Sequence, residues 1–132
     1  MSKFTRFFTL RIKAIGYAFH GWGYVLRTQR NAWIHMVVSI AVTIICLWLG
    51  LPNRDWAVII LAIAMVWTAE FVNTALEAVV DLASNHQQHS LARVGKDVGA
   101  AAVLIAALAS ALIGLLVIGP ALWEKVQAIF HS

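Results

Sequence analysis

Three stretches of this chain are long and apolar enough to cross a lipid bilayer, and that excludes most soluble folds. They run from Ala32 to Leu51, from Trp56 to about Val80 and from Val98 to about Trp123. A spanning helix needs about 20 such residues. In hydrocarbon each backbone amide and carbonyl must find its partner within the protein, which favours helices for separate apolar runs. "GLPNRD" at 50–55 brings Gly, Pro and Asn together as a tight turn, and "SNHQQHSLARVGKD" at 84–97 reads as a polar connection. Only 12% of the residues are charged and the mean hydropathy is +0.80, against about 25% charged in a soluble domain. The expected fold is an all-α membrane protein forming one domain over residues 1–132. Its spans lie at about 32–51, 56–81 and 98–123, behind a surface helix at about 4–28.

The surface helix follows from a second periodicity. Phe4, Phe8, Ile12, Ile15, Phe19, Trp22 and Leu26 follow one another at steps of three or four, a single stripe at 100° per residue. Arg6, Lys13, His20 and Arg27 recur every seventh residue on the other side. An aromatic stripe backed by basic residues suits the membrane interface. The first 28 residues lack the continuous apolar core and small-residue cleavage site of a signal peptide, so none is expected.

Charge placement orients the spans. Lys3, Arg6, Arg11, Lys13, Arg27 and Arg30 precede the first run, and Arg93 and Lys96 lie between the second and third. Arg54 is alone between the first and second. The positive-inside rule puts the N-terminus and the 84–97 connection in the cytoplasm. A net charge of +4 could also suit a nucleic-acid binder, but these bases flank apolar runs and show no interleaved stacking residues, so no nucleic-acid partner is expected. Cys46, the one cysteine, lies inside the first run and reads as a small buried apolar residue. Ala102, Ala106, Ser110 and Gly114 step by four along the third run. Small residues of this kind let membrane helices approach closely, and self-association is expected.

The second run carries the chemistry. "AEFVNTALEAVVD" at 69–81 ends a nearly pure hydrocarbon stretch in two glutamates, an asparagine and an aspartate. Glu70, Asn73, Glu77 and Asp81 are spaced by three, four and four residues. On a helix they fall within roughly 80° of arc and span about 16 Å, from the mid-bilayer region to the cytoplasmic boundary. A carboxylate at a span's centre costs roughly 2.5–3.5 kcal/mol on insertion scales, so it needs a metal ion, a proton or a basic partner. Lys96 and Asp97 open the third run on the same side. Oxygen ligands of this kind suit Mg²⁺ carrying a nucleotide, a lysine can neutralise phosphate charge, and a deep carboxylate can act as general base. "GKD" at 95–97 is no P-loop.

These residues carry a resemblance. "EFVNTALEAVVD" followed by "GKDVGAAAVL", together with "GYAFHG" at 16–21 and "TQRNAWIH" at 28–35, resembles the prokaryotic integral-membrane diacylglycerol kinase and undecaprenol kinase family over most of the chain. The resemblance implies a homotrimer with active sites at the membrane–cytosol boundary near subunit interfaces, and ATP-dependent phosphorylation of a membrane lipid alcohol. It implies Glu70 as general base with Asn73 orienting the carboxylates, and Glu77 as ligand of the metal that carries ATP. It implies Lys96 and Asp97 as the phosphate- and nucleotide-contacting pair, with Tyr17 and His89 (or His86) near the nucleotide. "TQRNAWIH" and "VVDLAS" look more like the branch associated with undecaprenol than the one associated with diacylglycerol. Leu10 stands where the diacylglycerol branch has Arg, beside Arg11.

Two other readings compete. A small proton-coupled transporter would use Glu70 as a relay, but it leaves Glu77, Asp81, Lys96 and Asp97 at one membrane face without a task. A catalytically silent scaffold rests on Gln29 alone, which stands where relatives usually have Glu as a second metal ligand. A neutral amide oxygen holds a hard cation more weakly than a carboxylate, so slower turnover or a higher magnesium requirement is expected. Gln29→Glu should lower the magnesium concentration that gives half-maximal activity; an unchanged magnesium titration would remove Gln29 from the metal site.

Overall fold

The computed structural model describes residues 3–131. Four helices follow one another: α1 (Lys3–Thr28), α2 (Arg30–Leu49), α3 (Asn53–Ala83) and α4 (Ser90–Phe130). The last three are long and apolar enough to cross a membrane. At 1.5 Å per residue α2 is about 30 Å long, the thickness of a bilayer core, whereas α3 and α4 reach about 46 and 61 Å. The two long helices therefore outrun hydrocarbon at one end or both.

Each break has a local cause. Between α1 and α2 only Gln29 leaves the helix, at φ −106° and ψ 114°. Its amide donates back to the Val25 carbonyl at 2.8 Å, and the Trp33 indole reaches the Leu26 carbonyl at 2.8 Å across the bend. Between α2 and α3, Gly50 takes the left-handed conformation at φ 70° and donates to the Cys46 and Leu47 carbonyls. Only glycine enters that region without a steric penalty. Pro52 then begins α3 in extended conformation, with Asp55 in the first turn, where the helix dipole favours an acid.

α3 and α4 form a close antiparallel hairpin. Ser110 donates to the Ala62 carbonyl at 2.9 Å midway along α4, and Lys96 pairs with Asp81 near the connection. α2 runs antiparallel to α3 and makes fewer contacts. Cys46, Leu51 and Ile59 form one small buried cluster at the Gly50 end, and Val25, Ala32 and Trp67 form another at the Gln29 end. Trp22 of α1 stacks on this second cluster, 4.6 Å from the Trp67 ring and 4.8 Å from Phe71. Phe4, Phe8, Ile12, Ile15 and Phe19 are exposed.

Two expectations change. The polar connection contracts from 84–97 to the six residues Ser84–His89, because His89 caps α4 and the helix begins at Ser90. Lys96 and Asp97 accordingly lie inside α4. The run of small residues is also partly used within the chain. Ala106 is buried and Ser110 bonds to α3, while Ala102 stays exposed. Its close approach thus serves the α3–α4 hairpin first.

The chain exposes 10130 Å², against roughly 6,900 Å² for a compact soluble protein of this mass. Much of the excess is Leu, Ile, Val, Phe and Trp surface on α2 and α4, which a bilayer or neighbouring helices would cover.

Candidate active site

The acid face of α3 grades from inside to outside. Glu70 is 1% exposed, Asn73 7%, and Glu77 and Asp81 are half-buried. At 1.5 Å per residue Glu70 lies about 10 Å deeper along α3 than Glu77, and Asp81 about 6 Å further out.

Glu77 is held from two sides. One carboxylate oxygen accepts the Asn73 amide at 2.9 Å and the other accepts the Gln29 amide at 2.9 Å. Gln29 can reach it because the helix break frees Gln29 from α2, where its side chain caps nothing. Asn73 therefore meets Glu77, one turn along its own helix, rather than bridging Glu77 and Glu70. The Asn73 Oδ1 is buried and without a hydrogen-bond partner.

Glu70 faces α2. Its Oε2 lies 3.7 Å from the His35 Nε2, and its backbone carbonyl accepts the Thr74 hydroxyl at 2.8 Å. His35 was singled out by nothing in the sequence reading beyond its place in "TQRNAWIH", yet the helix register finds it. Gln29 meets Glu77, Ser39 meets Trp67 at 3.2 Å, and on antiparallel helices the position between them opposite Glu70 is residue 35 or 36.

At the connection the charged residues open into a cleft of about 630 Å³ lined by Asp81, His86, His89, Arg93, Lys96 and Asp97. Lys96 pairs with Asp81, both half-buried, and Arg93 lies 3.7 Å from Asp97, both well exposed. His89 caps α4, its Nδ1 accepting the Leu91 amide at 3.2 Å. His86 and Asn85 are left-handed, at φ 58° and 49°, so two successive residues reverse the chain there. Both histidines line the same cleft. Tyr17 is 74% exposed on α1 and is not brought to this group.

Among the described residues no three His, Cys, Asp or Glu side chains converge on one point. The donor set at Glu77 is one carboxylate beside two amides, with the orphaned Asn73 oxygen next to it. That fits a hard cation which keeps most of its waters or takes phosphate oxygens, and it fits no cage made by the protein alone. Turning the Gln29 amide about its last bond would offer its oxygen in place of its nitrogen.

The prokaryotic diacylglycerol kinase family model matches residues 16–118. The chain belongs to that family. It is 36% identical over 121 residues to an undecaprenol kinase of Bacillus subtilis, covering 92% of this chain and 94% of the relative. It is 42% identical over 98 residues to a diacylglycerol kinase of Synechocystis, where the match covers 74% of this chain but only 56% of that longer protein. It is 35% identical over 120 residues to the diacylglycerol kinase of Escherichia coli, covering 85% of this chain and 91% of the relative. Membership of this family makes the chain a lipid kinase by kind, and the acid face, Gln29 and the cleft all lie within the matched stretch.

Gly99 of α4, in sequence one more small residue of "GKDVGAAAVL", lets α4 lie against the site. A Cβ there would collide with the Asn73 side-chain oxygen and press on Leu76, whereas one at Gly95 would meet only a Val80 methyl at 3.3 Å. Gly99→Ala should therefore destabilise the folded chain by about 1–3 kcal/mol, the usual cost of overpacking, and displace Asn73 from Glu77. Gly95→Ala should cost markedly less. Thermal unfolding of the two variants in the same detergent compares them directly, and equal midpoints would show that α4 does not press on Asn73.

Proposed function

We propose that the protein transfers the γ-phosphoryl group of ATP, with Mg²⁺, to the hydroxyl of a membrane lipid, with undecaprenol favoured and diacylglycerol the alternative acceptor. The reaction would take place at the cytoplasmic face of a bacterial inner membrane, with the N-terminus in the cytoplasm. The observation that carries this reading is the graded line on α3: a buried acid, then a carboxylate flanked by amides, then an open cleft with basic residues. A phosphoryl donor is a polar anion that arrives from water, and a lipid alcohol arrives from the bilayer, so a site joining them needs both ends of such a line.

In this reading Lys96, released from Asp81, and Arg93 receive the phosphates in the cleft. Glu77, Asn73 and Gln29 hold the metal, which when bound would neutralise phosphate charge and keep the transferring group in line. Glu70 accepts the proton of the lipid hydroxyl as its oxygen forms the new bond to phosphorus. The bond from that phosphorus to the leaving oxygen breaks, and ADP departs. Asp97, His86 and His89 line the nucleotide's approach. Tyr17 reaches the nucleotide only if α1 of the same or another chain closes over the cleft.

Relatives matched over nearly their whole length carry both names, undecaprenol kinase at 36% identity and diacylglycerol kinase at 35%, so the order of acceptors rests on the likeness of "TQRNAWIH" and "VVDLAS" to the undecaprenol branch. We also infer a homotrimer with α1 lying on the membrane surface. The exposed apolar area of α2 and α4 and the stripe on α1 support it.

The assay is transfer of labelled γ-phosphate from Mg-ATP to undecaprenol and to diacylglycerol, offered in parallel. Label is expected in undecaprenyl phosphate, and removal of magnesium with a chelator should abolish it. Glu70→Gln should lose transfer while Mg-ATP still raises its thermal midpoint; a nearly active Glu70→Gln would take the base role from Glu70. Absence of label in both lipids from a folded protein would sink the kinase reading. Label in phosphatidic acid alone would reverse the acceptor order. In the same assay, co-assembled Glu70→Gln and Lys96→Ala chains regain activity if one site draws on two subunits.

A further inference from the structure

Among the described residues three buried side-chain polar atoms lack a hydrogen-bond partner, and two of them face each other. These two are the His35 Nε2 and the Glu70 Oε2, 3.7 Å apart. The gap is too short for an intervening water to bond in line with both, and only slightly longer than a hydrogen bond, so each is the other's available partner. A buried polar atom left unpaired is costly, and more so in a bundle surrounded by lipid.

The imidazole is itself held in place. The Trp67 ring lies edge-on to it at 6.4 Å between centroids. The Trp67 indole donates to the Ser39 hydroxyl at 3.2 Å, which donates to the His35 carbonyl at 2.6 Å. Trp67, one turn before Glu70 on α3, thus ties back to α2 beside His35. The His35 side chain is 14% exposed and the Glu70 side chain 1%. The neighbouring acid on α3, Glu77, is already occupied by Asn73 and Gln29. No lysine or arginine pairs with Glu70 among the described residues; Lys96 and Arg93 are engaged with Asp81 and Asp97.

We propose that His35 is the positioning residue for Glu70. This rests on the lipid-kinase reading above and extends it. The imidazole N–H on Nε2 donates to Oε2, fixes the carboxylate plane, and leaves Oε1 to receive the proton of the acceptor hydroxyl. His35 touches neither phosphate nor lipid, and it acts only through the orientation of Glu70.

The test compares three variants in the labelled-phosphate assay. His35→Leu removes the donor and keeps bulk. His35→Asn keeps an amide too short to reach Glu70. His35→Gln places an amide N–H close to where Nε2 stands. Misplacing a reacting group by about 1 Å can cost about 100-fold in rate, so His35→Leu and His35→Asn should lose 10- to 100-fold in kcat with the KM for Mg-ATP unchanged. His35→Gln should recover to within about threefold of the parent chain. A merely structural role predicts another pattern: thermal midpoints falling with bulk and the glutamine variant no better than the asparagine one. That pattern, or full activity in His35→Leu, would overturn the proposal. If His35→Leu does not fold, the asparagine and glutamine pair decides. A parent chain that labels no lipid would overturn the kinase reading and this proposal with it, whereas an active parent with indifferent His35 variants overturns this proposal alone.

Discussion

A carboxylate placed inside hydrocarbon must be answered from a neighbouring helix, and the arrangement of α2 on α3 follows from that demand. α2 has little else to hold it there: two small apolar clusters and a few crossing side chains. Among the described residues the polar contacts that α2 and the Gln29 just ahead of it make with α3 lie on one line, Gln29 with Glu77, His35 with Glu70 and Ser39 with Trp67. These pairs share one antiparallel register. In lipid, apolar packing alone discriminates weakly between registers, because the tails are as apolar as the side chains they would replace. The polar pairs are what distinguish this alignment from one shifted by a turn.

The α3–α4 hairpin is fixed differently, by closeness. A six-residue connection, a glycine against Asn73 and a serine on a backbone carbonyl bring the two backbones together. One side of α3 is therefore set by steric fit and the other by polar pairing, and the acid face lies between them. That combination holds Asn73 and Glu77 in a defined relation while leaving Asp81 and Lys96 free to meet water at the cleft.

Much of this was legible in the sequence, and unevenly. The apolar runs announced three long helices because length and hydropathy are read without knowing any contact. The 3-4-4 spacing announced one polar face on α3 because it needs only the helix period. The "EFVNTALEAVVD" and "GKD" motifs led to the family that the chain belongs to. What escaped depends on pairs of helices. His35 looks like one more residue of an apolar span until Gln29 and Glu77 fix the register. Gly99 looks like one more small residue of α4 until its approach to Asn73 is seen. The start of α4 was set too late, since the polar residues of 84–97 read as a connection, whereas His89 caps a helix that begins at Ser90 and runs straight through Lys96 and Asp97. The stripe of small residues was read as facing another chain, and its middle faces α3.

The left-handed glycine at position 50 lies a whole α2 length from the acid face, yet it governs the spacing there. It ends α2 after twenty residues and hands the chain to Pro52 with no slack, so α2 acts as a gauge block between the Gly50 turn and the carboxylates of α3. One residue added to that turn could be absorbed by a bulge at the turn itself. If it were taken up by α2, the helix would slide 1.5 Å and rotate by 100°, turning Gln29 and His35 away from their partners together. Tolerance for insertions at the Gly50 turn, where loops ordinarily accept them, is therefore limited by chemistry at the far end of α2.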